Sequence, residues 1–112
     1  MAELIVTLKG RELSRVPITK TDTVIGRDAS ADVRIDNPGV SRTHAIVRYR
    51  DFVFRVWDHG SANGLLVNGE RVEWSTLADG DVIVIGRHNL HFVDAPASAG
   101  TRFRRTHARG VV

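Results

Sequence analysis

The sequence contains no cysteine. Disulfides and thiolate zinc sites are therefore excluded. Long apolar runs are also missing. The longest early one, residues 4–8, is interrupted by Thr7, whereas a membrane-spanning helix needs about 20 apolar residues. No basic segment precedes this run as one would in a secretory signal. No window combines the helical apolar period with capping residues, and no segment repeats along the chain. These absences lead us to expect a cytoplasmic protein, not a membrane one, built from elements other than helices.

What is present suits one domain. The chain has 112 residues, 42% of them apolar and 26% charged, enough to build a single core. The formal net charge of +3 is unevenly placed. Arg102, Arg104, Arg105 and Arg109 lie beyond Pro96 with no Asp or Glu among them. The body before them is close to neutral and carries no electrostatic footprint for nucleic acid. Residues 1–95 are expected to form the domain. Residues 96–112 read as a small-residue spacer and a flexible basic tail, or a linker within a longer multidomain protein, with little to bury. An arm for nucleic acid or anionic lipid is the sharper reading of that tail. Short basic patches are common by chance, so the linker is preferred.

The body reads as strands. Residues 3–9 alternate apolar and polar side chains. Residues 12–18 form a second candidate, with Pro17 suggesting an edge or an end. Residues 23–25 and 33–35 are short pieces. Residues 43–49 and 52–58 are longer, β-branched and aromatic, with only Arg50 and Asp51 between them. That is hairpin spacing without the favoured Gly. Residues 66–67 and 71–73 flank Asn68-Gly69, the strongest short hairpin signal. Residues 82–85 and 90–93 complete the set. Many short strands separated by turn residues predict an all-β sandwich.

The stretch Ser41-Arg42-Thr43-His44 stands just ahead of an apolar strand and admits three chemistries. In the first, Ser41 is a nucleophile and His44 its base. That needs hydrogen-bond reach and an oxyanion hole. The odd spacing would turn the two to opposite faces at a strand entrance. No strand–turn–helix elbow surrounds Ser41 or Ser61, and Asp58 as a third member is a chance proximity. In the second, His44 is a metal ligand. The histidines at 44, 59, 88, 91 and 107 are scattered, and His88 and His91 sit three apart on a strand. No metal is implied. In the third, Arg27 and Arg42 converge on an anion. An Arg fork matches phosphate oxygens, and the Ser41 hydroxyl could fill a remaining lone pair. The loop Asp58-His59-Gly60-Ser61-Ala62-Asn63-Gly64 adds an Asn amide able to grip a peptide backbone.

Taken singly, these features make turns and solvated charges. Taken in order, they resemble the forkhead-associated (FHA) domain family. The matching pieces are Gly26-Arg27, Ser41-Arg42-Thr43-His44, residues 58–64, Val67-Asn68-Gly69 and residues 77–86. The resemblance covers about residues 4–94. It implies a twisted β-sandwich of two antiparallel or mixed sheets with binding loops at one end. It implies a phosphopeptide-binding signalling adaptor, not an enzyme, that recognises phosphothreonine in partner proteins. No cofactor is implied, and a monomer is expected. Arg27 and Ser41 correspond to the family's phosphate-binding residues, with Arg42 assisting. Thr43 is counted with the ligand-facing residues. Asn63 corresponds to the asparagine that holds the peptide main chain. His44 corresponds to a structural histidine that braces the loops, while Gly26 and Gly64 keep loop backbones in shape.

Two positions depart from the family pattern. Leu65 stands where Thr commonly follows Asn-Gly, and Ala62 supplies no hydroxyl where Ser or Thr is frequent. The alternative is an FHA-like structural or assembly module that contacts partners independently of phosphate.

Overall fold

The computed structural model describes residues 1–62 and 64–95. Asn63 and residues 96–112 lie outside the described residues, and with them the expected tail. Among the described residues there are eleven strands: β1 (Ala2–Leu8), β2 (Arg11–Ile18), β3 (Asp22–Gly26), β4 (Val33–Arg34), β5 (Ala45–Arg50), β6 (Val53–Asp58), β7 (Leu65–Val67), β8 (Glu70–Val72), β9 (Trp74–Leu77), β10 (Val82–Ile85) and β11 (His88–Asp94). They form a six-stranded sheet in the order β2-β1-β11-β10-β7-β8 and a five-stranded sheet in the order β4-β3-β5-β6-β9. The ladders are antiparallel except β3–β4, which is parallel. The second sheet is therefore mixed, as expected.

Side-chain alternation makes the sandwich. Successive strand residues point to opposite faces. Ala2, Leu4 and Val6 of β1, Ile83 and Ile85 of β10, and Leu90 and Phe92 of β11 are buried on one inner face. Ile25, Ala45, Val47, Val56 and Leu77 are buried on the facing one. Phe54 of the second sheet meets Phe92 of the first at a ring-centroid distance of 5.0 Å. Each fully buried Val, Leu, Ile or Phe contributes about 1.5–3 kcal/mol.

The expected strands were found with small shifts, and one was not anticipated. β9 pairs Trp57↔Trp74 and Phe54↔Leu77 on the edge of the second sheet. Its sequence, Trp-Ser-Thr-Leu, buries only Leu77 and shows no alternation that a pattern could catch. β5 begins at Ala45, so Ser41, Arg42, Thr43 and His44 are loop residues. β8 starts at Glu70, so that Asn68-Gly69 alone makes the turn, with φ of 52° and 84°. Asn68 does more than turn the chain. Its side-chain N–H donates to the buried Asp81 carboxylate at 2.9 Å, and its carbonyl oxygen accepts from the Val82 N–H at 2.9 Å. Asp81 also accepts from the Ala78 N–H at 2.9 Å. One asparagine thus ties two hairpins together.

The pairing Ile25↔Ala45↔Asp58 puts the end of β3, the start of β5 and the end of β6 at one level. The loops 27–32, 35–44 and 59–64 consequently emerge at the same end of the sandwich.

At the opposite end, β5 and β6 are joined by Asp51-Phe52, one residue later than the expected Arg50-Asp51, because Arg50 stays in the ladder opposite Val53. Both turn residues have positive φ, 54° and 65°, the conformation that Gly adopts freely and a bulky side chain does not. Phe52 is 92% exposed, so it gains almost no burial in return. Left-handed backbone at a non-Gly residue costs about 1–3 kcal/mol. Phe52→Gly is expected to stabilise the domain by about 1 kcal/mol, raising Tm by about 4–8 °C. A thermal melt checks this, and an unchanged or lower Tm would show the turn to be unstrained.

Candidate functional site

Gly26 ends β3 where the 35–44 loop passes over it. A Cβ at this position would lie 1.9 Å from the Arg42 carbonyl oxygen and 3.0 Å from the Thr43 Cα. Only glycine permits so close a crossing. Main-chain hydrogen bonds fix it: Arg27 N–H to Ser41 O at 3.0 Å, Asp28 N–H to Arg42 O at 3.2 Å, and Ile35 N–H to Gly26 O at 2.9 Å. The side chain of Arg27 is oriented by its Nε–H, which donates to Val40 O at 3.0 Å. Among the described residues that bond engages Nε alone and leaves the terminal nitrogens for another acceptor. Arg34 Nε–H donates to the Arg27 carbonyl at 3.0 Å, bracing the same residue from behind.

His44 joins this crossing to the next loop. It is fully buried. Its Nδ1 accepts the Ser41 N–H at 3.1 Å, so Nε2 carries the proton and donates to Gly64 O at 2.8 Å. Its own N–H reaches Ile25 O at 2.8 Å, and its carbonyl accepts the His59 N–H at 2.9 Å. The loop 59–64 is closed by a second set of bonds. Ser61 Oγ donates to the Asp58 carboxylate and accepts the Gly64 N–H, the latter at 2.8 Å. Gly64 has φ of 72°, and a Cβ there would press to 2.8 Å against the Arg71 guanidinium.

This geometry separates the roles of the four motif residues. His44 points inward and Arg42 is exposed, while Ser41 and Thr43 are half-buried. The His44 ring contacts the Ser41 main chain, so the arrangement is a brace and not a nucleophile with its base. Neither residue lies in a strand, so strand alternation does not set their directions; His44 is turned inward with two ring hydrogen bonds. Asp58 and Ser61 close their own loop. Asn63 is outside the described residues, between the exposed Ala62 and Gly64.

The site carries three arginines, offset in part by Asp28 and by Asp36, which lies 3.8 Å from Arg34. Arg27, Arg34 and Arg42 gather around the crossing. The Asp28 carboxyl is held below the usual carboxylate range by the Ser30 hydroxyl and main-chain N–H, with the charges of Arg42 and Arg34 adding to this. Asp28 therefore stays ionised and keeps the 27–32 turn folded back on itself. Arg34, Asp28 and Ser30 were not singled out from the sequence. Asp28-x-Ser30 is a recognisable side-chain-to-backbone turn signature. Nothing in the sequence marks Arg34, whose place depends on the parallel pairing Gly26↔Arg34. Beside Gly64 a groove of about 570 Å³ runs along Asn37, Pro38, Gly39, Leu65, Arg71 and Arg87.

A β-sandwich with braced, arginine-bearing loops at one end is a ligand-presenting module. A family model described as FHA domain matches residues 23–86, and the chain belongs to the FHA domain family. It is 40% identical over 85 residues to the glycogen accumulation regulator GarA of Mycolicibacterium smegmatis, covering 76% of this chain and 54% of that protein. It is 37% identical over 83 residues to the oxoglutarate dehydrogenase inhibitor of Corynebacterium diphtheriae, covering 74% and 58%. The chain thus spans about half the length of the curated relatives it matches. Among solved structures it resembles an FHA domain studied for phosphothreonine-dependent interactions, with a TM-score of 0.76 and 31% identity over 84% of this chain and 98% of that one. It also resembles Mycobacterium tuberculosis EmbR in complex with a low-affinity phosphopeptide, with a TM-score of 0.77 and 33% identity over 88% and 26%. Among the described residues, no helix is long and apolar enough to cross a membrane.

The brace has a measurable consequence. His44→Ala leaves the Ser41 N–H and the Gly64 carbonyl without their partner, at a cost of about 1–3 kcal/mol. Its Tm should fall clearly. Ser41→Ala keeps the main-chain bond and should melt close to wild type. Paired thermal melts decide this; a Ser41→Ala protein that melts lower than His44→Ala would mean that the hydroxyl, not the ring, holds the loops.

Proposed function

We propose that the loop end binds a phosphothreonine-containing segment of a partner protein, and that the chain is a non-catalytic, monomeric adaptor of the cytoplasm. The reading is supported chiefly by the crossing at Gly26. With Arg27 N and Ser41 O 3.0 Å apart, the guanidinium of Arg27, the hydroxyl of Ser41 and the exposed Arg42 belong to one small patch. A phosphothreonine carries about −1.5 to −2 charges at pH 7 and three acceptor oxygens. The terminal nitrogens of Arg27 supply a fork to two of them, and the Ser41 hydroxyl and Arg42 supply further donors. Thr43 lines the same patch. Asn63, through its amide, holds the main chain of the bound segment, and the groove beside Gly64 receives residues flanking the phosphothreonine. His44, Gly26 and Gly64 act through the backbone they position. Residues 1–95 form this module and residues 96–112 a linker or tail. The names of the relatives, a regulator and an enzyme inhibitor, favour a regulatory role in which binding is the output.

The test is a titration with one peptide in phosphorylated and unphosphorylated forms. A charge-assisted hydrogen bond contributes about 1.5–3 kcal/mol, so Arg27→Ala should weaken phosphopeptide binding by about ten- to a hundred-fold. The variant should remain folded, because Arg27 is only half-buried. Equal affinity for the two peptide forms, or an unchanged Kd in Arg27→Ala, would favour a phosphate-independent assembly module instead.

A further inference from the structure

The outer face of the five-stranded sheet carries a feature that the loop site does not use. Register aligns Val24, Ile46, Trp57 and Trp74 in one row across β3, β5, β6 and β9. Their neighbours Ile25, Ala45, Val47 and Val56 are buried inward, so the row faces out. Trp57 and Trp74 stack with centroids 5.4 Å apart and planes at 23°. They remain 39% and 50% exposed. A contiguous apolar row with two tryptophans on an open sheet face is the composition of an interface core rather than of ordinary surface.

Two further observations say what covers it. The next row is Asp22, Arg48, Arg55 and Thr76, with Arg50 beyond it on the same face of β5. Asp22 is the carboxylate in these rows, and Arg48 already bridges it at 2.8 and 3.1 Å. The face is therefore apolar beside cationic and complements an acidic partner. The row also adjoins the loop end. Trp57 precedes Asp58, which holds Ser61, and Trp74 follows Glu73, whose carbonyl accepts the Asp58 N–H at 2.7 Å.

We infer that this face is a second docking surface, and that its occupant is an acidic, apolar-bearing protein segment continuous with the one held at the loops. Its continuity with the phosphothreonine rests on the function proposed above. The phosphate fixes the partner at the loop end, and the flanking segment lays aliphatic or aromatic side chains on the tryptophan pair and carboxylates on Arg50 and Arg55.

The experiment uses the whole chain and a library of phosphothreonine peptides with long randomised flanks. Selection should enrich Asp and Glu together with Leu, Phe or Tyr in the flank. A selected peptide should bind about tenfold more tightly than its own short phosphothreonine core. That advantage should vanish in Trp74→Ser and, independently, in Arg55→Glu, with binding of the short core unchanged in both. The indole N–H signals of Trp57 and Trp74 should shift with the long peptide and not with the core. Enrichment of basic or neutral flanks, a gain that survives both substitutions, or equally tight binding of single-stranded RNA on this face would overturn the inference. The unphosphorylated acidic flank, added alone at high concentration, separates the two readings. Indole shifts with the flank alone, while no phosphorylated core binds, would uphold the face and refute the phosphothreonine site. A core that binds while neither flank nor long peptide moves the indoles would do the opposite.

Discussion

The loop end depends on one steric constraint, the passage of the Arg42 carbonyl over Gly26. With 1.9 Å between that oxygen and the place of a Cβ, any side chain would force the two loops apart. The crossing brings Arg27 and Ser41 into main-chain contact, and the other positioning bonds follow from it. Val40 O, one residue before the Ser41 O that accepts the Arg27 N–H, accepts Arg27 Nε–H. His44 takes the Ser41 N–H on one ring nitrogen and spans to Gly64 O with the other. The side chains of the candidate site are thus positioned largely by backbone groups that carry no chemistry of their own. Preorganisation of this kind lowers the ordering cost of binding a mobile segment.

The brace also explains why polar groups are buried here without loss. A buried imidazole with an unfilled nitrogen costs free energy. His44 has both nitrogens filled by main-chain partners from two different loops, so its satisfaction and the loop geometry are the same condition. Ser61 repeats the logic at smaller scale, using one hydroxyl as donor to Asp58 and acceptor from Gly64. The Arg27 and Arg34 side chains are meanwhile kept in place by bonds to carbonyls, and Asp28, held ionised by Ser30, and Asp36, 3.8 Å from Arg34, offset the local positive charge in part.

Much of this was legible in the sequence, and the remainder was illegible for definite reasons. Local signals worked where a residue's role is set by its immediate neighbours. The alternation in β1, the β-branched and aromatic run of β6 and the Asn68-Gly69 turn are of this kind. The ordered motif placed Gly26, Arg27, Ser41 and His44 at one end, and the hydrogen bonds join them there. Roles set by register were hidden. Arg34 reaches Arg27 through a parallel pairing, and the Asn68 clasp on Asp81 spans two hairpins. β9 escaped because an edge strand with one buried residue has no period to read. Phe52 escaped for the opposite reason, since nothing about a Phe announces a left-handed turn.

The tryptophan row bears on a problem that the loop end leaves open. Charge-assisted bonds to a phosphate are much alike for any phosphothreonine, so they supply affinity and little discrimination. Specificity is a difference between partners and has to come from groups that meet something other than the phosphate. The loops offer a groove of limited size, and neighbouring Ala62 and Leu65 bring no hydroxyl to it. The sheet face offers aromatic area and arginines on a rigid ladder, fixed relative to the loops by the same β6 strand that ends in Asp58. A segment anchored at the phosphate meets that face at high effective concentration, so even weak contacts there separate one partner from another. On the proposed arrangement the phosphate decides when the domain binds, and the sheet contributes to deciding what it binds.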